Sequence, residues 1–421
     1  MHILYIPQHF STPQGATGTR PYEMASRLVH AGHEVTVICG SLLEGTTGLS
    51  GKPIRGVRKG VVNGIQIIEI AMPYGNKHGF LRRALTFVRF STRATWMALT
   101  MKYDLLFTTT TPLTSGIPGI VMKLLRRSKT FVFEVRDLWP ELPKAMGVIK
   151  NPLVLLALDL LEFLSYRSAD RLVALSPGIK EGICRRGVPE DRVALIPNAS
   201  DLDLFQPDCH KGLDINGIEP GDFTAVFTGA HGMANGLEAV LDAAAELKKR
   251  GRQNIKLVFI GQGMRKPALR ERAEAEGLDN CIFLDPVPKV ELARLLPKAN
   301  LGMMILANVP AFYRGTSPNK FFDYISAGLP VINNYPGWLA EMIESHDCGV
   351  VVPPGDAAAF ADALERLAAD PEVCRRYGAN ARALAEREFS RDTLGNRMIA
   401  FLAGREPEMA GCRPAANTDH S

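Results

Sequence analysis

The segment SPNKFFDYISAGLPVI, which begins at Ser317, carries a lysine and an aspartate three positions apart. A helix would present Lys320 and Asp323 on one face. Ser317 fits the N-cap position and Pro318 the first helical position, where the missing N–H of proline costs nothing. The free amides at this helix start and Lys320 favour a phosphate, whereas Asp323 can accept hydrogen bonds from ribose hydroxyls. These residues predict a nucleotide site, and the alternative interpretation of this stretch alone is a solvated surface ion pair.

Two glycine-bearing loops follow predicted strands in the second half of the chain. FTGAHGMANGLEAVLDAAAEL places Gly229, Gly232 and Gly236 between a strand that ends at Thr228 and an amphipathic helix, and FIGQGMRKPAL follows the next strand. Small residues at such positions let backbone amides approach a diphosphate closely. Neither loop has the G-x-G-x-x-G pattern with a downstream acid, so an NAD-dependent oxidoreductase is disfavoured.

The first half contains two further candidate sites at predicted strand ends. In FSTPQGATGTRPYEMASRL, Gly15 and Gly18 would let a bulky ligand approach and Arg20 would lie near its charge, the alternative being a flexible turn with a surface arginine. In EVRDLWPELPKAMG, Arg136 and Asp137 stand at the carboxyl end of an apolar strand. Parallel sheets bind ligands at these ends, so both motifs are candidates for a site.

The elements that must position these residues alternate along the whole chain. Strand-like runs such as HILYIP, EVTVIC, DLLFTTT, TFVFEVRD and DRLVALS alternate with helical patterns, and FTAVFTG, IKLVFIG, CIFLD, LGMMIL, LPVINN and CGVVVP repeat the plan. This alternation predicts an α/β protein with two successive Rossmann-like, doubly wound domains and a site in the cleft between them.

The predicted domain limits follow from composition. We assign residues 1–200 to an N-terminal domain and 201–390 to a C-terminal domain, because VALIPNASDLDLFQP resembles a connector rich in proline and polar residues. A last helix, placed within 391–404, is expected to cross back to the N-terminal domain, and the polar residues 405–421 are expected to be disordered.

The overall composition is that of a globular protein in a reducing compartment. The 421 residues are 46% hydrophobic and 22% charged, and the 7 cysteines form no C-x-x-C pair, which argues against disulfide and zinc frameworks. We see no signal-peptide pattern, and the apolar run PLVLLALDLLEFL from Pro152 is short and interrupted by Asp159 and Glu162. These features predict a cytoplasmic protein.

Charge is unevenly distributed along the chain. Residues 1–200 contain 25 Lys and Arg against 14 Asp and Glu, a net charge of +11, and the remainder contains 24 against 30, a net charge of −6. Such separation is informative about partners, and the positive half is expected to lie near an anionic nucleic acid or phospholipid surface.

Four motifs in a fixed order resemble those of bacterial family 4 glycosyltransferases of the GT-B fold. They are GATGTRPYEMASRLVHAGHEVTVI, RDLWPE, ALIPNASDLDLF and SPNKFFDYISAGLPVI, and the resemblance covers roughly residues 1–400. Within the family, the chain looks most similar to enzymes that build O-antigen and capsule, such as the L-fucosamine transferases. The resemblance implies a cytoplasmic enzyme, peripheral at the inner face of the plasma membrane, that transfers a sugar from a nucleotide-diphosphate donor, with UDP as the expected nucleotide.

The resemblance also implies roles for residues of the C-terminal domain. Asp323 stands where the family has its ribose-binding acid, but Gly315 stands where many members have a glutamate. His231 and Asn235 occupy positions where members often present arginine and lysine to the diphosphate. Backbone amides, Arg265 and Lys320 are therefore expected to take more of the donor contact.

The implied reaction is glycosyl transfer with retention at the anomeric carbon, without a bound metal or other cofactor. The DLD segment at Asp201–Asp203 lies in the connector motif and is not expected to bind a metal. The predicted catalytic residues are Asp137, Arg136 and Lys320, with Asp137 on the acceptor side to orient or deprotonate the acceptor, and no covalent nucleophile is assigned. The complete predicted donor-binding set is Gly15, Gly18, Arg20, Gly229, His231, Gly232, Asn235, Gly263, Arg265, Val287, Ser317, Asn319, Lys320 and Asp323.

The resemblance implies a binding partner for the positively charged residues 1–200. The stretch KHGFLRRALTFVRFSTRATWMALTMK, residues 77–102, mixes basic and aromatic residues in a pattern that favours an anionic membrane surface. A lipid-diphosphate-linked acceptor at the inner leaflet would explain this pattern. The expected acceptor is a glycan or an undecaprenyl-diphosphate-linked saccharide, and no nucleic acid partner is expected. The alternative interpretation is that the apolar face of this helix packs on the sheet, and the two interpretations are compatible.

Two further function classes stay open at this point. A sugar-nucleotide epimerase of the same GT-B plan would need no acceptor, so products formed from a nucleotide sugar alone would identify it. A non-catalytic nucleotide-binding protein would show no turnover at all. The sequence specifies neither the sugar nor the acceptor.

Overall fold

The computed structural model describes residues 1–43, 45–74, 80–207 and 212–405. Two sequence predictions fall partly outside these residues, namely the disordered tail, at 406–421, and the start of the basic stretch, at 77–79.

The first half of the described chain folds around one sheet. Its strands are β1 (His2–Pro7), β2 (Glu34–Leu42), β3 (Val57–Val62), β4 (Ile65–Tyr74), β5 (Leu105–Thr109), β6 (Thr130–Val135), β7 (Arg171–Ala174) and β8 (Val193–Leu195). They lie in the order β3-β4-β2-β1-β5-β6-β7-β8, and neighbours pair in parallel apart from the antiparallel β3 and β4. The helices of this half are α1 (Arg20–His30), α2 (Phe80–Thr100), α3 (Ile117–Leu125), α4 (Glu141–Ala145), α5 (Pro152–Ser168) and α6 (Pro177–Arg185).

The second half repeats the plan with a smaller parallel sheet. Its strands are β9 (Phe223–Thr228), β10 (Ile255–Ile260), β11 (Cys281–Leu284), β12 (Leu301–Met304), β13 (Val331–Asn333) and β14 (Gly349–Val351), in the order β11-β10-β9-β12-β13-β14. The helices are α7 (Glu238–Lys249), α8 (Lys266–Ala275), α9 (Lys289–Leu295), α10 (Pro310–Gly315), α11 (Asn319–Ser326), α12 (Trp338–Ser345), α13 (Ala357–Ala369), α14 (Pro371–Glu388) and α15 (Arg391–Leu402).

The sequence accounts for these elements locally. Every residue of β5 and of β9 is buried, as expected for parallel strands covered by helices on both faces. Polar caps start several helices: the Asn151 side chain accepts hydrogen bonds from the first turn of α5, and the hydroxyls of Ser176 and Ser390 cap α6 and α15. In α2, Phe90, Ala94 and Ala98 are buried in the domain core, so packing explains that helix's apolar face.

The two domains meet with the carboxyl ends of both sheets facing one cleft. The connector joins them directly, since Ser200 Oγ donates a hydrogen bond to the carbonyl of Phe322. The last helix, α15, packs on α1 of the N-terminal domain, where Arg27 forms an ion pair of 2.8 Å with Asp392. The predicted GT-B fold, with two Rossmann-like domains across a cleft, is confirmed, while the predicted limits between domains stay predictions.

In the described residues, none of the helices combines the length and apolarity that crossing a bilayer requires.

Candidate functional site

A cavity of about 330 Å³ lies between the two domains. Loop residues that follow β1 form one wall, and loops that follow β9, β10 and β11, together with the start of α11, form the others. Cavities of this size accept small organic ligands. The lining residues are Ala16, Thr17, Gly18, Thr228, Gly229, Ala230, Ile260, Gly261, Gln262, Pro286, Val287, Lys289, Leu292, Asn319, Lys320 and Asp323.

Helix α11 presents its first two turns to this cavity. The helix begins at Asn319, and Pro318 is the N-cap residue in an extended conformation (φ −76°, ψ 132°). The prediction that Ser317 caps the helix and that Pro318 is its first helical residue is therefore wrong by one position. The cause is the connector, because Asn198 donates hydrogen bonds to both the hydroxyl and the carbonyl of Ser317.

Lys320 supplies a cation to the cavity wall. Its Nζ donates a hydrogen bond of 2.9 Å to Asn235 Oδ1 and lies 3.8 Å from the centre of the Phe227 ring. Burial lowers the pKa of Lys320 to about 7. An anion placed beside the ammonium group would favour its protonated form, so the site is suited to a phosphate.

Asp323 lies one turn further along α11 and is 7% exposed. Lys289 Nζ forms an ion pair with Asp323 Oδ1 at a distance of 3.2 Å. The angles of this contact are not those of a hydrogen bond, so Oδ1 accepts no hydrogen bond from the described residues. Burial raises the pKa of Asp323, and the charge of Lys289 opposes that rise. A buried carboxylate with spare acceptor capacity is suited to bind hydroxyl groups.

Lys289 links this carboxylate to the N-terminal domain. Its Nζ lies 3.2 Å from Glu23 Oε1 and donates a hydrogen bond of 3.1 Å to Thr19 Oγ1. Burial alone would lower the pKa of Lys289. The negative charges of Asp323 and Glu23 outweigh this effect and raise the pKa above its usual range. The sequence analysis missed Lys289, since no motif marks it and its partner Glu23 is 266 positions away.

The ion-pair network continues behind the cavity. Arg391 at the start of α15 lies 2.7 Å from Glu23 and 2.5 Å from Asp201. Burial raises the pKa of Glu23, but Lys289 and Arg391 outweigh this effect and leave it well below its usual range. Asp201 of the DLD segment is thus part of a bridge between connector, α1 and α15. Within the described residues, no group of three or more His, Cys, Asp or Glu side chains could hold a metal ion.

Arg20 does not face the cavity, which corrects the prediction that it lies near the donor's charge. The side chain is 1% exposed, and its guanidinium pairs with Glu134 at 2.8 Å and donates to the carbonyl of Ile196 at 2.8 Å. Glu134 is a buried acid within β6, and a buried charge needs an opposite charge with satisfied hydrogen bonds. The arginine therefore stabilises the N-terminal sheet.

The two glycines of the same loop have different positions. Gly18 lines the cavity, and a Cβ there would lie 2.9 Å from Asn319 Nδ2, so the N-terminal loop closely approaches the start of α11. Gly15 is outside the lining, where a Cβ would overlap Ser11 Oγ at 2.2 Å. Its carbonyl accepts a hydrogen bond of 3.2 Å from the backbone of Lys289. Gly15 therefore serves packing and contact between domains.

The loop after β9 contributes backbone and one amide side chain. Gly229 lines the cavity with φ 123°, a conformation that favours glycine. Asn235 holds Lys320 and donates a hydrogen bond of 2.7 Å to the carbonyl of Ala230. Gly232 does not line the cavity.

His231 is buried behind this loop rather than exposed to a ligand. Its ring contacts those of Phe227, Phe259 and Phe283, and burial together with Lys266 and Lys320 lowers its pKa to about 4. A neutral, enclosed imidazole cannot supply charge to a diphosphate. The predicted donor contact of His231 is therefore not supported by its position.

The loop after β10 also differs from the prediction. A Cβ on Gly263 would lie 2.3 Å from the carbonyl oxygen of His231, so this glycine allows the two loops to pack. Arg265 lies outside the lining and pairs with Glu238, to which its Nε donates at 2.9 Å. Val287, by contrast, lines the cavity.

The predicted acceptor-side residues lie at the carboxyl edge of the N-terminal sheet. Asp137 is half-buried and accepts a hydrogen bond of 3.1 Å from Thr111 Oγ1. Burial raises its pKa, and Arg136 opposes that rise. His9, which follows β1, belongs to the same edge, and burial and Arg136 lower its pKa to about 4. The sequence analysis did not select His9. None of these side chains lines the 330 Å³ cavity.

Comparisons with known protein families cover most of the chain. Residues 15–199 match the family model described as "Glycosyl transferase 4-like domain", and residues 213–384 match the model described as "Glycosyl transferases group 1". The gap between the two matches contains the end of the connector.

Curated relatives share part of their length with this chain. Alpha-D-kanosaminyltransferase of Streptomyces kanamyceticus is 27% identical over 42% of this chain and 44% of its own length. O-antigen chain mannosyltransferase C of Escherichia coli is 26% identical over 54% of this chain and 58% of its own length. The chain spans about half the length of the curated relatives it matches.

Solved structures share the fold over nearly the whole chain. Sucrose-phosphate synthase from Thermosynechococcus elongatus has a TM-score of 0.70 with 19% identity, covering 96% of this chain and 98% of that one. HepE of Anabaena in complex with UDP-glucose has a TM-score of 0.67 with 15% identity, covering 96% and 100%. These likenesses establish the two-domain architecture.

Proposed function

We propose that this chain, which combines a glycosyl transferase 4-like domain with a glycosyl transferases group 1 domain, transfers a sugar from a nucleotide-diphosphate donor bound in the interdomain cavity. One observation carries the proposal. The cation of Lys320 and the carboxylate of Asp323 project from one helix into the same cavity between two Rossmann-like domains.

The diphosphate is assigned to the start of α11. Lys320 adds a full charge to the positive end of the helix dipole, and Gly18 and Gly229 allow backbone to approach the ligand. When the bond between the anomeric carbon and the diphosphate oxygen breaks, negative charge develops on the leaving group. A preorganised cation and aligned dipoles stabilise that charge.

The ribose is assigned to Asp323. Two vicinal hydroxyls would donate to a carboxylate that is buried and has an oxygen without a hydrogen-bond partner among the described residues. Lys289 Nζ, 3.2 Å from Asp323 Oδ1, opposes the rise in pKa that burial causes and so favours the carboxylate form, which accepts hydrogen bonds.

UDP is the proposed nucleotide, with support from the complexes of HepE with UDP and UDP-glucose. No metal or other cofactor is part of the proposal. The proposed outcome is retention at the anomeric carbon, with the acceptor hydroxyl held near Asp137 and its proton taken by Asp137 or by the leaving phosphate.

The proposed acceptor is a lipid-linked saccharide of cell-envelope polysaccharide synthesis, at the cytoplasmic face of the membrane. Relatives named as an O-antigen chain mannosyltransferase and as an amylovoran biosynthesis glycosyltransferase support a polysaccharide role. The narrower resemblance to L-fucosamine transferases stays a prediction.

Transfer is tested by incubating the full chain with a panel of UDP-sugars, with and without undecaprenyl-diphosphate-linked saccharides. We expect sugar to reach the lipid-linked product only when donor and acceptor are both present. Asp323→Ala should lose donor affinity, and Asp203→Ala, an exposed connector variant, should not. A change in the sugar of the donor without acceptor would instead identify an epimerase, and no turnover across the panel would contradict the proposal.

A further inference from the structure

The face of α5 that points away from the core is apolar. Its exposed large side chains include Leu153 at 75% and Leu156 at 66% exposure. They recur every three or four positions and so form one continuous stripe along the helix. The stripe consists of Leu153, Leu156, Leu160, Phe163 and Leu164. An apolar run too short to cross a bilayer is thus presented to solvent on the surface.

Two neighbouring helices extend this surface. The connections β4-α2-β5, β5-α3-β6 and β6-α5-β7 all cross the sheet in the same direction, so α2, α3 and α5 cover the same face of the sheet. Helix α3 packs against both α2 and α5. Their exposed side chains include Trp96, which is 66% exposed, and Leu124 and Leu125 at the end of α3. We call this the α2–α3–α5 surface.

The charge of the α2–α3–α5 surface fits an anionic partner. The sequences of α2 and α3 contain no acidic residue. The acids of α5, Asp159 and Glu162, both pair with Arg186, at 2.5 Å and 2.6 Å. Among the described residues, the exposed cations of this surface include Arg89, Arg93, Arg126, Arg127 and Arg167. A second copy of this chain would place the same cationic face against itself, which like-charge repulsion disfavours.

We infer that the α2–α3–α5 surface docks on an anionic phospholipid bilayer, with the α5 stripe inserted at the level of the lipid head groups. Leucine and tryptophan side chains gain free energy in this region, and the flanking arginines bind acidic lipids. The inference places the membrane anchor mainly on α5, whereas the sequence analysis assigned the anionic surface to the basic N-terminal half and singled out residues 77–102.

The orientation of α5 connects the surface to the site. Crossover helices run antiparallel to the strands, so the first residues of α5 lie at the carboxyl edge of the sheet, where Asp137 stands. Val148, which is exposed just before α5, extends the apolar surface towards that edge. Docking would thus bring the proposed acceptor side close to the bilayer, and this part of the inference rests on the proposed function.

Vesicle flotation tests the inference with the full chain. We expect the protein to float with vesicles of phosphatidylglycerol and phosphatidylcholine, and poorly with phosphatidylcholine alone. The double variant Leu156→Gln/Leu160→Gln should lower the partition coefficient at least about tenfold. Ile54→Gln, a matched change at an exposed apolar residue outside the surface, should leave it unchanged. Arg126→Gln should lower it about fivefold on anionic vesicles.

Three results would overturn the inference. They are a wild-type chain that stays in the lipid-free fraction, a leucine variant that floats like wild type, and lipid-free self-association that this variant abolishes. Quenching of Trp96 fluorescence by brominated lipids, compared with Trp96→Phe, provides a second readout that needs no α5 variant.

The two proposals can fail separately. Asp323→Asn should lose UDP affinity and keep vesicle binding, while Leu156→Gln/Leu160→Gln should keep UDP affinity and lose vesicle binding. Vesicle binding without any transfer would contradict the proposed function and leave the membrane surface standing.

Discussion

At the scale of single residues, the role proposed for Lys320 predicts that donor binding depends on pH. Burial lowers its pKa to about 7, so the ammonium form prevails below that pH and the neutral amine above it. The ammonium form is the one that attracts a diphosphate. The dissociation constant for UDP should therefore rise about tenfold per pH unit as the pH increases above about 7. Calorimetric titration across this range checks the prediction.

Two controls separate this effect from the titration of UDP itself. Uridine has no phosphate, so its affinity should not follow the Lys320 titration. Lys320→Gln keeps a side chain of similar shape but has no titrating group. It should therefore remove the pH dependence of the UDP dissociation constant above about pH 7. Equal pH profiles for wild type and Lys320→Gln would show that the lysine does not contact the diphosphate.

Lys289 is expected to matter for stability as well as for the site. Lys289→Met would leave Glu23 and Asp323 buried without the cation that lies between them. Removing one partner of a buried ion pair costs about 3 kcal/mol in the free energy of unfolding. Urea unfolding measures this loss. The control is Lys298→Met, which changes an exposed lysine shortly after α9. Its free energy of unfolding should stay within about 0.5 kcal/mol of the wild-type value.

A second substitution tests the cause of that loss. Without Lys289, Glu23 keeps its ion pair with Arg391, whereas the carboxylate of Asp323 loses its ion-pair partner. In Lys289→Met/Asp323→Asn that carboxylate is gone, so part of the lost stability should return. If the double variant instead loses the sum of the free energies of unfolding that Lys289→Met and Asp323→Asn lose separately, the ion-pair explanation is contradicted.

At the scale of elements, α6 and α10 form a close contact between the domains. A Cβ on Gly178 would lie 2.2 Å from the carbonyl oxygen of Arg314, and a backbone atom cannot move aside cheaply. Gly178→Ala should therefore cost about 2 kcal/mol in the free energy of unfolding. Gly315→Ala, in the same contact region but with no atom within 4 Å of its Cβ, provides the control. A Gly178→Ala protein as stable as this control would refute the contact.

The sequence predicted most of the strands but fewer of the side-chain roles. Alternating apolar runs located β1, β2, β5, β6, β7 and the six strands of the second sheet, because buried parallel strands are apolar throughout. The hairpin of β3 and β4 and the short β8 were not predicted. None of the six residues of β3 is fully buried, four being partly buried and two exposed, so this strand lacks a continuous apolar signal.

Side-chain roles depend on partners that are distant in the sequence. Arg20 was predicted to bind the donor because it follows a glycine loop, but its partner Glu134 is 114 positions away and turns it into the core. Lys289 was missed for the same reason. Lys320 and Asp323 were found because one helix holds both, and local spacing is visible in a sequence.

At the scale of the whole molecule, the two proposals involve two different surfaces. The interdomain cavity joins Lys320 and Asp323 of the C-terminal domain to the Gly18 loop of the N-terminal domain. The α2–α3–α5 surface covers one face of the N-terminal sheet. The uneven charge along the chain, +11 for residues 1–200 (25 Lys and Arg against 14 Asp and Glu), agrees with an anionic partner for that half.

The central claim is that α11 holds a nucleoside diphosphate, with Lys320 on the phosphates and Asp323 on the ribose. Its most direct measurement is a calorimetric titration of UDP and of uridine against wild type, Lys320→Met and Asp323→Asn. We predict that Lys320→Met weakens UDP binding about tenfold or more and leaves uridine nearly unchanged, while Asp323→Asn weakens both ligands by a similar factor. Equal losses for the two ligands in Lys320→Met, or unaltered affinities in Asp323→Asn, would contradict the claim.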